Sequence, residues 1–290
     1  MATFLLVHGA WHSGRCWERV IPLLERAGHR VLAPSLTGYG DKAHLLGPEV
    51  GLDTHVADIA GLIGDEDLAD VVLVGHSYAG LVISSVANQV PERIAHLVYL
   101  DAMVPEDGET AADVQPATRN LIDLAEKSDS GWRIPPLPEQ PYPFGLFGVT
   151  DPEDVAWLRS MLSDQPVGCL QQPVRLDNPA VHAISRTHIH CVGAKPAGIP
   201  RRPVPPVQPN GSPAQVWELP TGHDCMITMP SELTGLLLKL DPSRHWHRLA
   251  PPPPRRCGAR PAAPRRRSGS SAVAAHAGSL PFSRPGSGAP

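Results

Sequence analysis

Short apolar runs recur along the first hundred positions, and each is followed by a stretch with helical spacing. Phe4, Leu5, Leu6 and Val7 form an unbroken apolar run, too continuous for a one-sided sheet, so 3–8 is predicted as a strand buried on both faces. Over 17–27, Val20, Leu23, Leu24 and Ala27 share one helical face, and Gly28 ends the helix before a strand at 30–34. The glycines at 38, 40, 47 and 51 mark a loop, followed by a helix over 54–63 capped by Asp53 or Thr54. Strands at 71–74 and 96–101 flank a helix over 79–89. This spacing predicts parallel strands joined by right-handed crossovers: an α/β fold with a doubly wound, mostly parallel sheet, which binds ligands beyond the carboxyl ends of its strands.

The rhythm breaks between 104 and 185. Helical pieces over 111–127 and 152–161 are separated by turns rich in proline, and no strand is evident. An inserted helical cap is predicted, whose Trp132, Phe144, Leu146, Phe147 and Trp157 either wall a pocket or form the cap's own core. The sheet resumes at 187–192 and 215–219, and a helix over 231–240 closes the fold. The expected organisation is therefore core at 1–103, cap at 104–185, core again at 186–241 and a tail at 242–290.

That tail changes the charge picture. It holds nine arginines with no acid or lysine, so the chain's net charge of −4 becomes −13 for residues 1–241. Such an acidic body is unsuited to binding nucleic acid, and the tail, rich in Pro, Arg, Ser and Gly, is expected to be disordered. Cys16, Cys169, Cys191, Cys225 and Cys257 are odd in number and widely spaced, which argues against a disulfide framework. With no membrane-length apolar run and no secretory leader, a cytoplasmic protein without membrane partners is expected.

The candidate chemistry begins where the 71–74 strand ends. Gly75-His76-Ser77-Tyr78-Ala79-Gly80 sets a serine between an apolar strand and a helix, with small residues where strand and helix must pass closely. Ser77 is the candidate nucleophile; an ordinary capping serine is the structural alternative. A serine hydroxyl needs an imidazole to take its proton, and His223, after the last strand and beside Gly222, returns to the same sheet edge. The oxyanion donors expected are the amides of Tyr78 and Ala10, the latter in His8-Gly9-Ala10. Trp11, His12 and Trp132 are the candidate substrate contacts. His188 and His190 alternate on one strand but lack a third ligand nearby, so no metal is expected.

These motifs carry a resemblance. Val7-His8-Gly9-Ala10-Trp11-His12, Ala27-Gly28-His29-Arg30-Val31, Leu36-Thr37-Gly38, Val74-Gly75-His76-Ser77-Tyr78 and Gly222-His223-Asp224-Cys225-Met226 resemble the α/β-hydrolase superfamily, within it the branch of plant methylesterases, hydroxynitrile lyases and related bacterial esterases. The resemblance implies a Ser-His-acid triad, no cofactor, and hydrolysis of small esters beneath a helical cap. In the methylesterases the acid follows the strand corresponding to 187–192, but Gly193-Ala194-Lys195 offers no carboxylate. Asp101, ending the strand beside the nucleophile strand, is the expected substitute, with capping of the turn as its other possible role. The similar lyases carry threonine at the position of Gly9 and a cyanide-binding lysine at that of Asp224. The expected function is thus a serine carboxylesterase for small, mostly apolar esters, the alternatives being a hydroxynitrile lyase or a non-catalytic small-molecule receptor.

Overall fold

The computed structural model describes residues 1–194 and 201–240. The tail at 242–290 and part of the 197–213 loop lie outside them. Eight strands are present in the described residues: β1 (Thr3–Val7), β2 (Arg30–Leu32), β3 (Val71–His76), β4 (Ile94–Leu100), β5 (Arg133–Ile134), β6 (Gln165–Pro166), β7 (Ser185–Cys191) and β8 (Gln215–Leu219). Six form one sheet in the order β2-β1-β3-β4-β7-β8, parallel throughout. The apolar runs are continuous because both faces are covered. Leu5, Val7, Leu73 and Leu97 pack into the core on one side, while Phe4, Leu6, Val72, Val74 and Val98 pack into the core on the other. Each such side chain contributes roughly 1.5–3 kcal/mol on burial, which commits the register of the central strands.

Helices α1 (Ile21–Arg26), α2 (Leu52–Asp65) and α3 (Ala79–Gln89) carry the first crossovers. The helix expected over 17–27 is divided: Gly14–Trp17 forms a separate 3-10 turn, and Pro22 sits in the first turn of α1, where a missing N–H costs nothing. Neither Asp53 nor Thr54 is the cap residue of α2. Gly51 occupies that position, and the Thr54 hydroxyl accepts its N–H at 3.2 Å.

Between β4 and β7 lie α4 (Ala111–Val114), α5 (Thr118–Glu126), α6 (Pro152–Arg159) and α7 (Gly168–Gln171). The single piece expected over 111–127 breaks at Gln115-Pro116, because proline has no N–H to donate and disfavours helix in the residue before it. The region is not strandless either, since β5 and β6 pair antiparallel. After β8, the short α8 (Cys225–Thr228) precedes α9 (Pro230–Leu237), which a 3-10 turn extends to Leu240.

One feature of the topology positions the site. From β1 the chain first builds β2 on one side and then β3 on the other, so the loops leaving β1 and β3 diverge and open a crevice at their carboxyl ends. The pairing of Val7 with Gly75 brings both loops out at the same level. Among the described residues no helix is long and apolar enough to cross a membrane. Cys16, Cys169, Cys191 and Cys225 are buried and free.

Candidate active site

The turn after β3 is sharp enough to force Ser77 into the left-handed region, with φ 56°. Its small neighbours are steric requirements: a β-carbon on Gly75 would stand 2.7 Å from the Ala79 carbonyl oxygen, and one on Gly80 1.8 Å from that of Met103. Backbone bonds over-determine the strained turn, from Ser77 N–H to Leu100 O at 3.1 Å and from Met103 N–H to Ser77 O at 3.0 Å. Trp11, Asp67, Asp70, Asp101 and Phe147 also have positive φ; of these, Asp101 meets His223 and Phe147 packs against Trp11. Strain of this kind costs roughly 1–3 kcal/mol per residue and collects where geometry serves function.

His223 follows β8 at the same edge. The Asp101 carboxylate, immediately after β4, meets it: His223 Nδ1 lies 2.6 Å from Asp101 Oδ2. The other carboxylate oxygen accepts the Cys191 N–H at 3.3 Å and a hydrogen bond from the Arg201 guanidinium, which also donates to the Cys191 carbonyl at 3.1 Å. Asp101 therefore reaches across the end of β7, the strand whose own loop lacks an acid. The backbone of His223 is held by His76, whose Nε2–H donates to the His223 carbonyl at 3.1 Å. Gly222 is needed because a β-carbon there would lie 2.4 Å from the Gly148 Cα.

The loop after β1 supplies Gly9 and Ala10. A β-carbon on Gly9 would come within 2.9 Å of the Ser77 Cβ, so this loop lies directly against the serine turn. Among the described residues, neither the Ala10 nor the Tyr78 N–H donates to a backbone carbonyl. The inserted segment grips the loop through Trp11. Its amide donates to Gln165 Oε1 at 3.3 Å, its indole N–H to the Ile134 carbonyl at 3.0 Å, and its carbonyl accepts from Ser163 at 2.8 Å. Of the three expected substrate contacts, Trp11 and His12 are buried, whereas Trp132 is half-buried with the Arg133 guanidinium 4.5 Å from its ring centroid.

The profile of the alpha/beta hydrolase family matches residues 4–236. The chain belongs to that family. A carbendazim hydrolyzing esterase of Nocardioides sp. is 39% identical over 247 residues, covering 83% of this chain and all of the relative. Methylesterase 3 of Arabidopsis thaliana is 27% identical over 81% of this chain and 94% of its own length. Among solved structures, an extracellular alpha/beta-hydrolase from a Paenibacillus species superposes with a TM-score of 0.66 at 25% identity, over 83% of this chain and 99% of that one.

This alpha/beta hydrolase carries a second histidine–carboxylate pair that its sequence did not reveal. Asp224, next in sequence to His223, turns away from it and is fully buried, its Oδ2 2.8 Å from His12 Nε2. The electrostatics sort the buried histidines. Burial, reinforced by His223, pushes His76 down to about 3, and burial does the same to His8. Burial also disfavours a charge on His12, but Asp224 outweighs it and holds the imidazole above its ordinary value. Potential metal ligands on His76, His223 and Asp224 lie within 4.8 Å of one another. Of these residues' atoms, His223 Nδ1 and Asp224 Oδ2 are committed to Asp101 and His12, whereas among the described residues His76 Nδ1 and Asp224 Oδ1 have no hydrogen-bond partner.

Gln165 and Arg201 carried no signal in the sequence. Gln165 lies in a segment without periodicity, yet its buried Oε1 accepts both the Trp11 amide and the Tyr39 hydroxyl. Surface depressions of about 350 and about 330 Å³ lie elsewhere, and neither is lined by Ser77 or His223.

Proposed function

We propose that this alpha/beta hydrolase is a serine carboxylesterase acting on small, mostly apolar esters through an acyl-enzyme. Ser77 is the nucleophile, His223 the general base and then general acid, and Asp101 the group that orients His223. The observation that carries the reading is the 2.6 Å contact between Asp101 Oδ2 and His223 Nδ1. With Nδ1–H held by the carboxylate, Nε2 is the atom that accepts the serine proton. Ser77 Oγ attacks the ester carbonyl, the amides of Ala10 and Tyr78 stabilise the oxyanion, and His223 protonates the departing alcohol. Water, activated by the same imidazole, then releases the acid. The esterases among the relatives support the reaction class.

Hydroxynitrile lyase chemistry is disfavoured on two grounds. Gly9 stands where the similar lyases carry threonine, and a β-carbon there would crowd Ser77 Cβ at 2.9 Å. Asp224 stands where they carry the cyanide-binding lysine. Its carboxylate is sealed against His12, so this position presents no ammonium and no exposed charge. A panel of aryl and methyl esters assayed on wild type and Ser77→Ala tests the reading, together with fluorophosphonate labelling. Turnover that persists in Ser77→Ala, or an adduct elsewhere in the folded protein, would overturn it; binding without turnover would favour a receptor.

A further inference from the structure

His12 has acceptors on both sides. Its Nδ1 lies 2.6 Å from the Ala10 carbonyl oxygen and its Nε2 2.8 Å from Asp224 Oδ2. A carbonyl oxygen cannot donate, so Nδ1 must carry a proton, and a carboxylate can be satisfied at Nε2 only by a second one. The ring is otherwise enclosed by Phe147, with centroids 5.0 Å apart, and by His76 at 5.9 Å. Both members of the pair are sealed, at 2% and 0% side-chain exposure.

We propose that His12 is a positioning residue held as an imidazolium between Ala10 and Asp224, and that this buried ion pair locks the oxyanion loop to the loop carrying His223. The proposal rests on the esterase reading for the role of Ala10. Its physical logic is local. Trp11, between Ala10 and His12, has φ 65°, and the hydrogen bond from His12 back to the Ala10 carbonyl closes that strained turn. At the other end, Asp224 is the neighbour of His223, and its own N–H donates to the Phe147 carbonyl at 3.0 Å. One charged bridge therefore spans the two loops that supply an oxyanion amide and the proton acceptor. Among the described residues, the other titratable groups facing His12 are His76 and His8, both held neutral by burial, so Asp224 supplies the countercharge. Burial opposes ionisation of Asp224 as well, but His12 prevails and the carboxyl is held below its usual range. A pair of this kind is weak as a stabiliser but costly to break from one side, because the survivor is left charged and buried.

The test is nitrogen-detected NMR on histidine-labelled protein, combined with kinetics. His12 should show both ring nitrogens protonated at a pH above the ordinary imidazole value, the signature of an imidazolium, while His76 shows a neutral ring. Asp224→Leu should lower kcat about 10- to 100-fold with KM nearly unchanged, less than the roughly 10²–10³ for outright loss of an oxyanion donor. Asp224→Asn should stay within about fivefold of wild type, since a neutral His12 can keep Nδ1–H on Ala10 and accept the amide at Nε2. A neutral His12 in the wild type overturns the proposal, and so does an Asp224→Leu variant that raises KM at unchanged kcat. The wild-type NMR result stands even if the leucine variant fails to fold. Failure of Ser77 to take the fluorophosphonate would remove the esterase reading, whereas the protonation state of His12 judges the ion pair alone.

Discussion

Two histidine–carboxylate pairs stand on either side of His76, whose ring centroid is 4.5 Å from that of His223 and 5.9 Å from that of His12. Their bond lengths barely differ: 2.6 Å for His223–Asp101 and 2.8 Å for His12–Asp224. Their surroundings differ in kind. The His223 side chain is 29% exposed and has one nitrogen committed to Asp101, whereas His12 is 2% exposed with both nitrogens committed to acceptors. A histidine that shuttles protons needs one nitrogen uncommitted and a path for substrate; a histidine that positions a loop needs neither. The contacts of the second nitrogen, not the presence of a carboxylate, separate the two roles proposed for them.

The sharpest way to break this comparison is to remove the groups proposed to react or to orient the base. Ser77→Ala should reduce kcat by about 10⁴–10⁶, and Asp101→Asn by about 10⁴, since an amide cannot support the imidazolium formed during acylation. Asp224→Asn should cost far less; equal losses in the two asparagine variants, measured as kcat on one aryl ester, would erase the distinction between the pairs.

Next in size is the crowding of the serine turn. Gly9→Thr should lower kcat about 10- to 100-fold, because its β-carbon meets Ser77 Cβ and His76 Nδ1 at 2.9 and 3.0 Å. An unchanged kcat would show that the loop after β1 does not govern the nucleophile.

Stability against pH sharpens the comparison from the other side. Asp224 has a depressed carboxyl, so its contribution is present above its unfolded value and is lost as pH falls through the folded one. His12 is raised, so its contribution is complete below its unfolded value and is lost as pH rises through the folded one. Tm should therefore form a plateau between these limits, and Asp224→Asn should flatten both shoulders. A wild-type profile without shoulders would contradict a folded-state ion pair.

The smallest effect expected is at Arg201, which shares Asp101 with His223 but is 34% exposed. Water screens such a charge, so Arg201→Gln should change kcat only about two- to fivefold. A loss approaching that of Asp101→Asn would make Arg201 indispensable to the orientation of the acid.

Much of the site could be read from the order of residues. The small residues around Ser77 are demanded by a local turn, and the strand-to-helix pattern announces that turn. The position of Asp101 at a strand end was legible for the same reason: parallel strands deliver their terminal residues to one edge. Other features were not legible. The contact between His12 and Asp224 joins residues 212 positions apart. The grip of Gln165 on Trp11 spans 154 positions within a segment lacking any periodicity.

What the sequence determined by itself was the sheet, its parallel sense and the edge at which chemistry gathers, because hydrophobic period and turn chemistry act over a few residues. Which nitrogen of which histidine meets which oxygen was decided only by tertiary structure. A hydrogen bond depends on fractions of an ångström between loops that the chain reaches independently, and burial sets the charge on each ring only after those loops have packed. His12 and His223 are the same residue type, each within the reach of an aspartate, and only the packed loops bury one of them between two acceptors and leave the other partly exposed.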